Sequence, residues 1–306
     1  MVTHFIIKGI SEFPELQLPI FLLVLLIYLT ALGGNLTILL LVCLDRHLHT
    51  PMYFFLGNLS FLDMSSTTVT LQNPLVKFIA GHVGVSFHAC MAQVYLFASI
   101  TTQELLILTA MGYDRYVAIC NPLRYHMVMS RNTCALLAIA CWTLGFLQII
   151  PPVFILSSFS CYRSNEVNHF FCDMVPLMRL TCSDTSLLEI LNLTEGLILS
   201  TLTPFLLTFV SYVFIISSIA KIPSGVGRRK AFYTCSSHLT VVILLYLILV
   251  CQYITPLSGR FLDTNKLFSL FNTAAIPMLN PIIYSLKNKD VKSALRRRMK
   301  KLRIPS

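Results

Sequence analysis

Long apolar runs alternate with short polar stretches along this chain, and the runs are far longer than one buried face of a soluble helix needs. Seven of them cover residues 20–44, 52–76, 89–120, 134–156, 196–220, 231–259 and 267–286. A hydrocarbon core about 30 Å thick is crossed by about 20 helical residues, so each run is long enough to span a bilayer. Runs 20–44, 134–156, 196–220, 231–259 and 267–286 contain no Asp, Glu, Lys or Arg. Run 52–76 holds Asp63, and run 89–120 holds Glu104 together with the Asp114–Arg115 pair near one end. The pattern predicts an all-α membrane protein, a seven-transmembrane helix bundle forming a single domain over 1–306. Beyond it, Val291, Ala294, Leu295, Met299 and Leu302 recur among bases, which predicts a short amphipathic helix over 288–302 lying on the inner leaflet. The first run has 25 residues and is followed by no small-residue cleavage site, so the N-terminus is expected to be mature.

Composition sharpens this picture. The chain has 306 residues, 56% hydrophobic and 12% charged, against about 25% charged in an ordinary soluble domain. With the N-terminus outside, 17 of the 23 Lys and Arg fall on the cytoplasmic side, nine of them in the tail from Lys287 to Arg303. Acids run the other way, with only Asp45, Asp114 and Asp290 inside. The positive-inside rule therefore predicts N-terminus out and C-terminus in. The net charge of +10 faces anionic membrane lipid and implies no nucleic-acid partner. Six of ten cysteines lie within or at the ends of spans, while Cys90, Cys161, Cys172 and Cys182 fall outside. Two disulfides are expected in that oxidising compartment, and the four cysteines allow three connectivities.

A few polar groups stand out against the apolar background. Asp114 can hold Arg115 in an ion pair, Tyr116 follows, and Tyr212 and Tyr284 lie near the inner ends of two other spans. An arginine tied in one state and released in another is a two-state element. Asp63 and Glu104 sit in apolar spans with no Lys or Arg at their depth, and intramembrane acids are functional by default. They either share a bound sodium ion with Asn35, Ser99 or Asn280, or form a hydrogen-bonded pair with one acid neutral. Phe97, Ala98, Thr101 and Thr102 share one face of the third span. The outer loop from about Ser157 to Glu195 carries three of the four outer cysteines, and a loop of that length is usually functional. Asn192-Leu-Thr reads as a glycosylation sequon, whereas Asn35-Leu-Thr and Asn58-Leu-Ser match the pattern inside spans. His82 and His88 read as solvated loop residues. A transporter or channel would need inverted repeats, broken helices or a ring of charges, and an enzyme a Ser/His or His/Glu cluster. The chain is expected to be neither, and to need no cofactor beyond that sodium ion.

"MGYDRYVAIC" at 111–120 resembles the "MAYDRYVAIC" signature of olfactory (odorant) receptors, a branch of the rhodopsin-like, class A G-protein-coupled receptors. "GGNLTIL", "LHTPMYFFLGNLSFLD", "HFFCD", "KAFYTCSSHLTVV" and "PMLNPIIYSLKNKDVKSAL" are similar to further blocks of the family, in the family's order. The resemblance implies disulfides Cys90–Cys172 and Cys161–Cys182, and an activation switch of Asp114, Arg115, Tyr116, Tyr212, His238, Asn280, Pro281 and Tyr284. It implies that the inner end of the sixth span moves outward for a heterotrimeric G protein of the stimulatory olfactory type, raising cyclic AMP in sensory neuron cilia. It favours the sodium site for Asp63 and Glu104. It places Leu197, Ser200 and Thr201 across a ligand pocket from Phe97, Ala98, Thr101 and Thr102, with Tyr246, Leu249, Val250 and Tyr253 from the sixth span and Leu270 and Thr273 from the seventh. None of these positions is charged, so small, volatile, weakly polar molecules are expected there rather than amines or acids. The same motifs would serve a class A receptor for a small metabolite sensed outside the nose. Three departures are visible: no asparagine precedes the first span, Gly112 stands where the family has alanine, and no glycine follows Tyr246.

Overall fold

The computed structural model describes residues 2–11, 13–82, 84–254 and 262–303. Helix α1 runs over Pro14–Leu44, α2 over Pro51–Ala80, α3 over Phe87–Cys120 and α4 over Arg131–Ser158. A short helix α5, Met174–Leu180, lies in the loop that follows. Helix α6 covers Ser186–Ala220 and α7 Gly225–Ile254. Helix α8 is built from Leu262–Leu270, Phe271–Ala275 and Ile276–Lys287, and α9 is Lys289–Arg303. Among the described residues, α1, α3, α4, α6 and the Lys266–Tyr284 part of α8 are long and apolar enough to cross a membrane. Helix α2 carries a row of Ser and Thr that turn inward, with Ser60, Ser66, Thr67 and Thr70 all buried, and α7 opens with bases. The end of the expected sixth span, 255–259, lies outside the described residues.

Starts and stops follow local chemistry. Pro14 and Pro51 occupy the first turns of α1 and α2, where the missing N–H costs nothing. Ser86 and Ser130 cap α3 and α4 by accepting from the backbone N–H groups of Ala89 and Thr133. Gly81, at φ 76°, ends α2 in the left-handed conformation.

Helices α6 and α8 each contain a widened π-type stretch, Asn192–Leu202 and Phe271–Ala275, followed within two residues by Pro204 and Pro277. Proline cannot donate to the carbonyl four residues back. In α6 hydroxyls bond carbonyls of the widened turn ahead of Pro204: Ser200 donates to the Glu195 carbonyl at 2.8 Å, Thr201 to Gly196 at 2.9 Å and Thr203 to Ile198 at 3.0 Å. In α8 it is Pro281 that leaves the Pro277 carbonyl without a helical donor, and Asn35 Nδ2 of α1 donates to it at 2.8 Å.

Close packing fixes the bundle at two glycines. A Cβ on Gly34 would lie 2.7 Å from Cγ of Pro281, and one on Gly145 would lie 2.3 Å from Cγ of Gln103. The first contact draws α1 onto α8, and the second draws α4 onto α3.

One face of the bundle is closed by an element that short polar segments do not announce. Residues His4–Ile7 form a strand, β1, between β2 (Gly84–Ser86, antiparallel) and β3 (Glu166–Val167, parallel). Phe5 and Ile7 point inward and bury against Cys90, Cys172, Leu156 and Leu177. The 157–195 loop is therefore structured throughout much of its length. Disulfides Cys90–Cys172 and Cys161–Cys182, each with Cα atoms 5.4 Å apart, bracket helix α5.

Candidate functional site

Beneath this cap lies a cavity of about 270 Å³, walled by α3, α4, α6, α7, α8 and the α5 loop. Phe97, Ala98, Thr101 and Thr102 line it from α3, Ser200 and Thr201 from α6, and Leu249 from α7. The hydroxyls of Thr101 and Thr102 donate back to the carbonyls of Phe97 and Ala98, both at 3.0 Å, so they present acceptor lone pairs to the cavity. The walls are mostly apolar, and Phe97 packs edge-on against Phe171 at 4.8 Å.

Several expected pocket residues stand elsewhere. Val250 is 46% exposed on the outer surface of the bundle, because the helical period turns it away from Leu249. Leu270 packs with Val24, Leu71, Phe170 and Phe171. Thr273 is fully buried and bonds the Ser269 carbonyl at 2.8 Å. Tyr246 packs edge-on against Phe205 at 5.0 Å. Neither Tyr246 nor Leu197 lines the cavity. The side chain of Tyr253 lies outside the described residues.

In their place the loop supplies Asn168, His169, Asp173, Met174, Val175, Pro176 and Arg179, and the cavity is charged where the sequence suggested a neutral one. Burial, with the Lys266 charge added, pushes the His169 imidazole down to about 3, so it is neutral near pH 7. Burial pushes the Asp173 carboxyl up to about 6, although it accepts from the Met174 N–H at 2.7 Å. Burial also lowers the Arg179 guanidinium. Asn192 lines the same cavity from within α6 and is half-buried, while Leu193 and Thr194 of the expected sequon are exposed.

Deeper in the bundle, Asn280 donates to both oxygens of Asp63, at 3.1 and 2.9 Å. Glu104 lies within electrostatic reach of Asp63. Glu104 Oε1, Ser99 Oγ and Asn35 Oδ1 are buried without hydrogen-bond partners. All three are oxygen atoms, carried by α1 and α3. No group of three or more His, Cys, Asp or Glu that could hold a metal ion occurs among the described residues.

At the opposite end of the bundle Arg115 folds back on Asp114, with Nε and Nη2 at 3.0 and 2.5 Å from Oδ2. The free oxygen of Asp114 accepts from the Tyr125 hydroxyl at 2.8 Å. Sequence reading missed Tyr125, which follows the turn Pro122–Arg124 and has no signal beyond its proximity to α3. Tyr116 packs near Phe214 at 5.9 Å. Tyr212 of α6 meets His238 of α7 at 2.7 Å, and the other ring nitrogen of His238 lies 3.0 Å from the Leu108 carbonyl of α3. A carbonyl only accepts, so Nε2 carries the hydrogen and Nδ1 accepts from Tyr212. This one imidazole ties three helices together. Tyr284 is fully buried with its hydroxyl unpartnered, and Pro281 abuts Gly34.

With this geometry in view, likeness to known proteins becomes informative. A family model described as olfactory receptor matches residues 24–301. Olfactory receptor 6C3 of Homo sapiens is 44% identical over 296 residues, covering 97% of this chain and 95% of the relative. Olfactory receptor 8D1 of Homo sapiens is 45% identical, covering 97% and 96%. Olfactory receptor 8U9 of Mus musculus is 45% identical, covering 97% and 94%. Among solved structures, squid rhodopsin superposes with a TM-score of 0.73 at 19% identity, covering 95% of this chain and 88% of that one.

Proposed function

The chain belongs to the olfactory receptor family, and from that membership we propose that it is an odorant receptor of the plasma membrane, with seven spans, N-terminus outside and C-terminus inside. A small volatile molecule enters the cavity under the β-sheet cap. Its binding is read at the far end of the bundle by a heterotrimeric G protein of the stimulatory olfactory type, which raises cyclic AMP in sensory cilia. Helix α9, held by Arg297 on Asp45 at 2.8 Å, lies along the inner leaflet.

One observation carries the reading: α3 holds both the cavity wall at Phe97–Thr102 and the Asp114–Arg115 pair. At 1.5 Å of rise per residue the two lie about 20 Å apart on one rigid rod. A ligand that repacks the α3 wall against α6 and α7 bears directly on the His238 bond to Leu108. When α7 swings away that bond breaks, and Arg115 is freed to meet the partner. A ligand shifts such an equilibrium only by its differential affinity for the two states. A sodium ion held by Asp63, Glu104, Ser99, Asn35 and Asn280 favours the resting packing by satisfying oxygens that are otherwise orphaned.

The test is a volatile panel applied to surface-expressed receptor with cyclic AMP as readout, in cells containing or lacking the olfactory G-protein α subunit. A response that requires that subunit is expected. A response independent of it, or none to any volatile at verified surface expression, overturns the proposal.

A further inference from the structure

Arg179 is the feature of the cavity that the odorant reading leaves unused. It sits on α5, whose two ends are pinned by the disulfides at Cys172 and Cys182. The C-terminal end is further held by Arg163 N–H on the Leu180 carbonyl at 2.8 Å and by the Thr181 hydroxyl on the Cys161 carbonyl at 2.8 Å. On these roughly two turns, Leu177 is fully buried under the cap, while Val175, Pro176 and Arg179, spaced as one helical face, turn to the cavity. The helix is thus held in one orientation, and that orientation aims a guanidinium inward.

The Nε and Nη2 atoms of Arg179 are buried and have no hydrogen-bond partner in the protein. A guanidinium keeps its proton at any working pH, so its charge cannot be shed the way a buried carboxyl sheds one. Two carboxyls, Asp173 and Glu195, face the same cavity. Neither pairs with Arg179, and one Glu195 oxygen, Oε2, is itself buried and unpartnered. A carboxyl can take up a proton and become a donor, and burial has already moved Asp173 to about 6. Among the described residues that line the cavity, the charge that cannot be shed is that of Arg179, and it is positive.

We propose that the cavity takes small carboxylates with an aliphatic tail, the carboxylate accepting a charge-assisted pair of hydrogen bonds from Arg179 and the tail lying along Val94, Leu105 and Ile149. The inference rests on the odorant reading for the identity of the site and adds its ligand class. It corrects the expectation of a neutral cavity. Arg–carboxylate pairs are bidentate and fixed in direction, which suits recognition of a head group in a pocket whose other walls offer no net attraction to it. The anion raises the proton affinity of Asp173, so binding draws a proton onto that carboxyl and turns it into a second donor.

The test uses butanoic, hexanoic and octanoic acids, their methyl esters and the amines of equal chain length. Thermal stabilisation of the purified receptor reads binding, and cyclic AMP in cells reads signalling. Acids are expected to stabilise the receptor at concentrations where esters do not. Arg179→Gln should weaken the acids by roughly tenfold to hundredfold, the range of a hydrogen bond to a charged group, with Arg179→Lys intermediate and any ester binding unchanged. Binding of the acids without cyclic AMP keeps the carboxylate site and removes the signalling reading. Cyclic AMP driven by esters, with acids inert in both assays, keeps the signalling reading and removes the carboxylate site. Amines outperforming acids, or an acid-to-ester ratio unmoved by Arg179→Gln in receptor that reaches the surface, also overturns it.

Discussion

The hydroxyl of Tyr125 lies 2.8 Å from Oδ1 of Asp114, the oxygen that Arg115 leaves free. The contact ties the loop after α3 to a fully buried carboxylate and completes its shell of donors. Tyr125 thereby helps hold Arg115 in its folded-back position, since an Asp114 fixed from both sides cannot rotate away. Tyr125→Phe removes one hydrogen bond to an ionised group, worth about 1.5–3 kcal/mol. Basal cyclic AMP is expected to rise a few-fold at equal surface density, with the ligand concentration for half-response falling. Unchanged basal signalling would remove Tyr125 from the latch.

Gly112 faces Thr208 and His238, where an added Cβ would lie 3.5 Å from Thr208 Cγ2 and 3.6 Å from His238 Cε1. Both are ordinary contacts. Gly112→Ala is therefore expected to raise the melting temperature, as removal of a helical glycine is worth about 1 kcal/mol, and to lower basal activity by bracing the His238 junction. A fall in melting temperature would show that the junction has no room.

Gly145 gives the opposite result. A Cβ there would meet Gln103 Cγ at 2.3 Å and the Ser99 carbonyl at 3.1 Å, and the second is backbone that cannot step aside. Gly145→Val should push α4 from α3, cost at least about 1–3 kcal/mol and cut surface expression sharply. Flow cytometry of an N-terminally tagged receptor measures it.

Asp173 gives a pH signature. Its carboxyl rises from 3.8 to about 6 on folding, so the folded state binds the proton more tightly than the unfolded one. Stability is then greatest at low pH, and it falls as pH climbs from the unfolded value to the folded one. Above about 6 the full penalty stands, at most about 3 kcal/mol at 1.36 kcal/mol per unit. Asp173→Asn can keep the cap on α5 while deleting the charge. The variant should melt higher than the wild type at pH 7.5, with the gap shrinking as pH falls below 6 toward 4. A gap independent of pH would assign the difference to something other than ionisation.

Glu104→Gln should weaken any effect of sodium on basal signalling, because it removes one of the two interacting intramembrane acids, Glu104 and Asp63. An undiminished sodium response would remove the ion from that cluster.

Some of this architecture was legible in the residues and some was not. The apolar helical nature of the chain follows from runs of uncharged residues, and composition alone carries that signal. The face of α3 at Phe97, Ala98, Thr101 and Thr102 follows from helical period, and those side chains do meet in one cavity. The same reasoning failed for Val250, since period without a fixed phase cannot tell inward from outward. The sheet that β1 organises was invisible because its strands have two to four residues and pair over long separations, His4 with Ser86 and Ile6 with Glu166. The charge in the cavity was missed for a related reason. Arg179 and Asp173 belong to a loop whose path is set by disulfides and by β3, and neither is written in local pattern. The π-type stretch of α6, by contrast, leaves a trace: Ser200, Thr201 and Thr203 cluster just ahead of Pro204, and each bonds a carbonyl five residues back.

In the function proposed above, occupancy of the cavity under the cap releases the far end of α7 from α3. The most direct measurement is the distance between spin labels at Leu123 and Val226, which are 101% and 81% exposed at the α3 and α7 ends. On addition of an activating volatile the account predicts a longer distance in the wild type. An unchanged distance while cyclic AMP rises would contradict it.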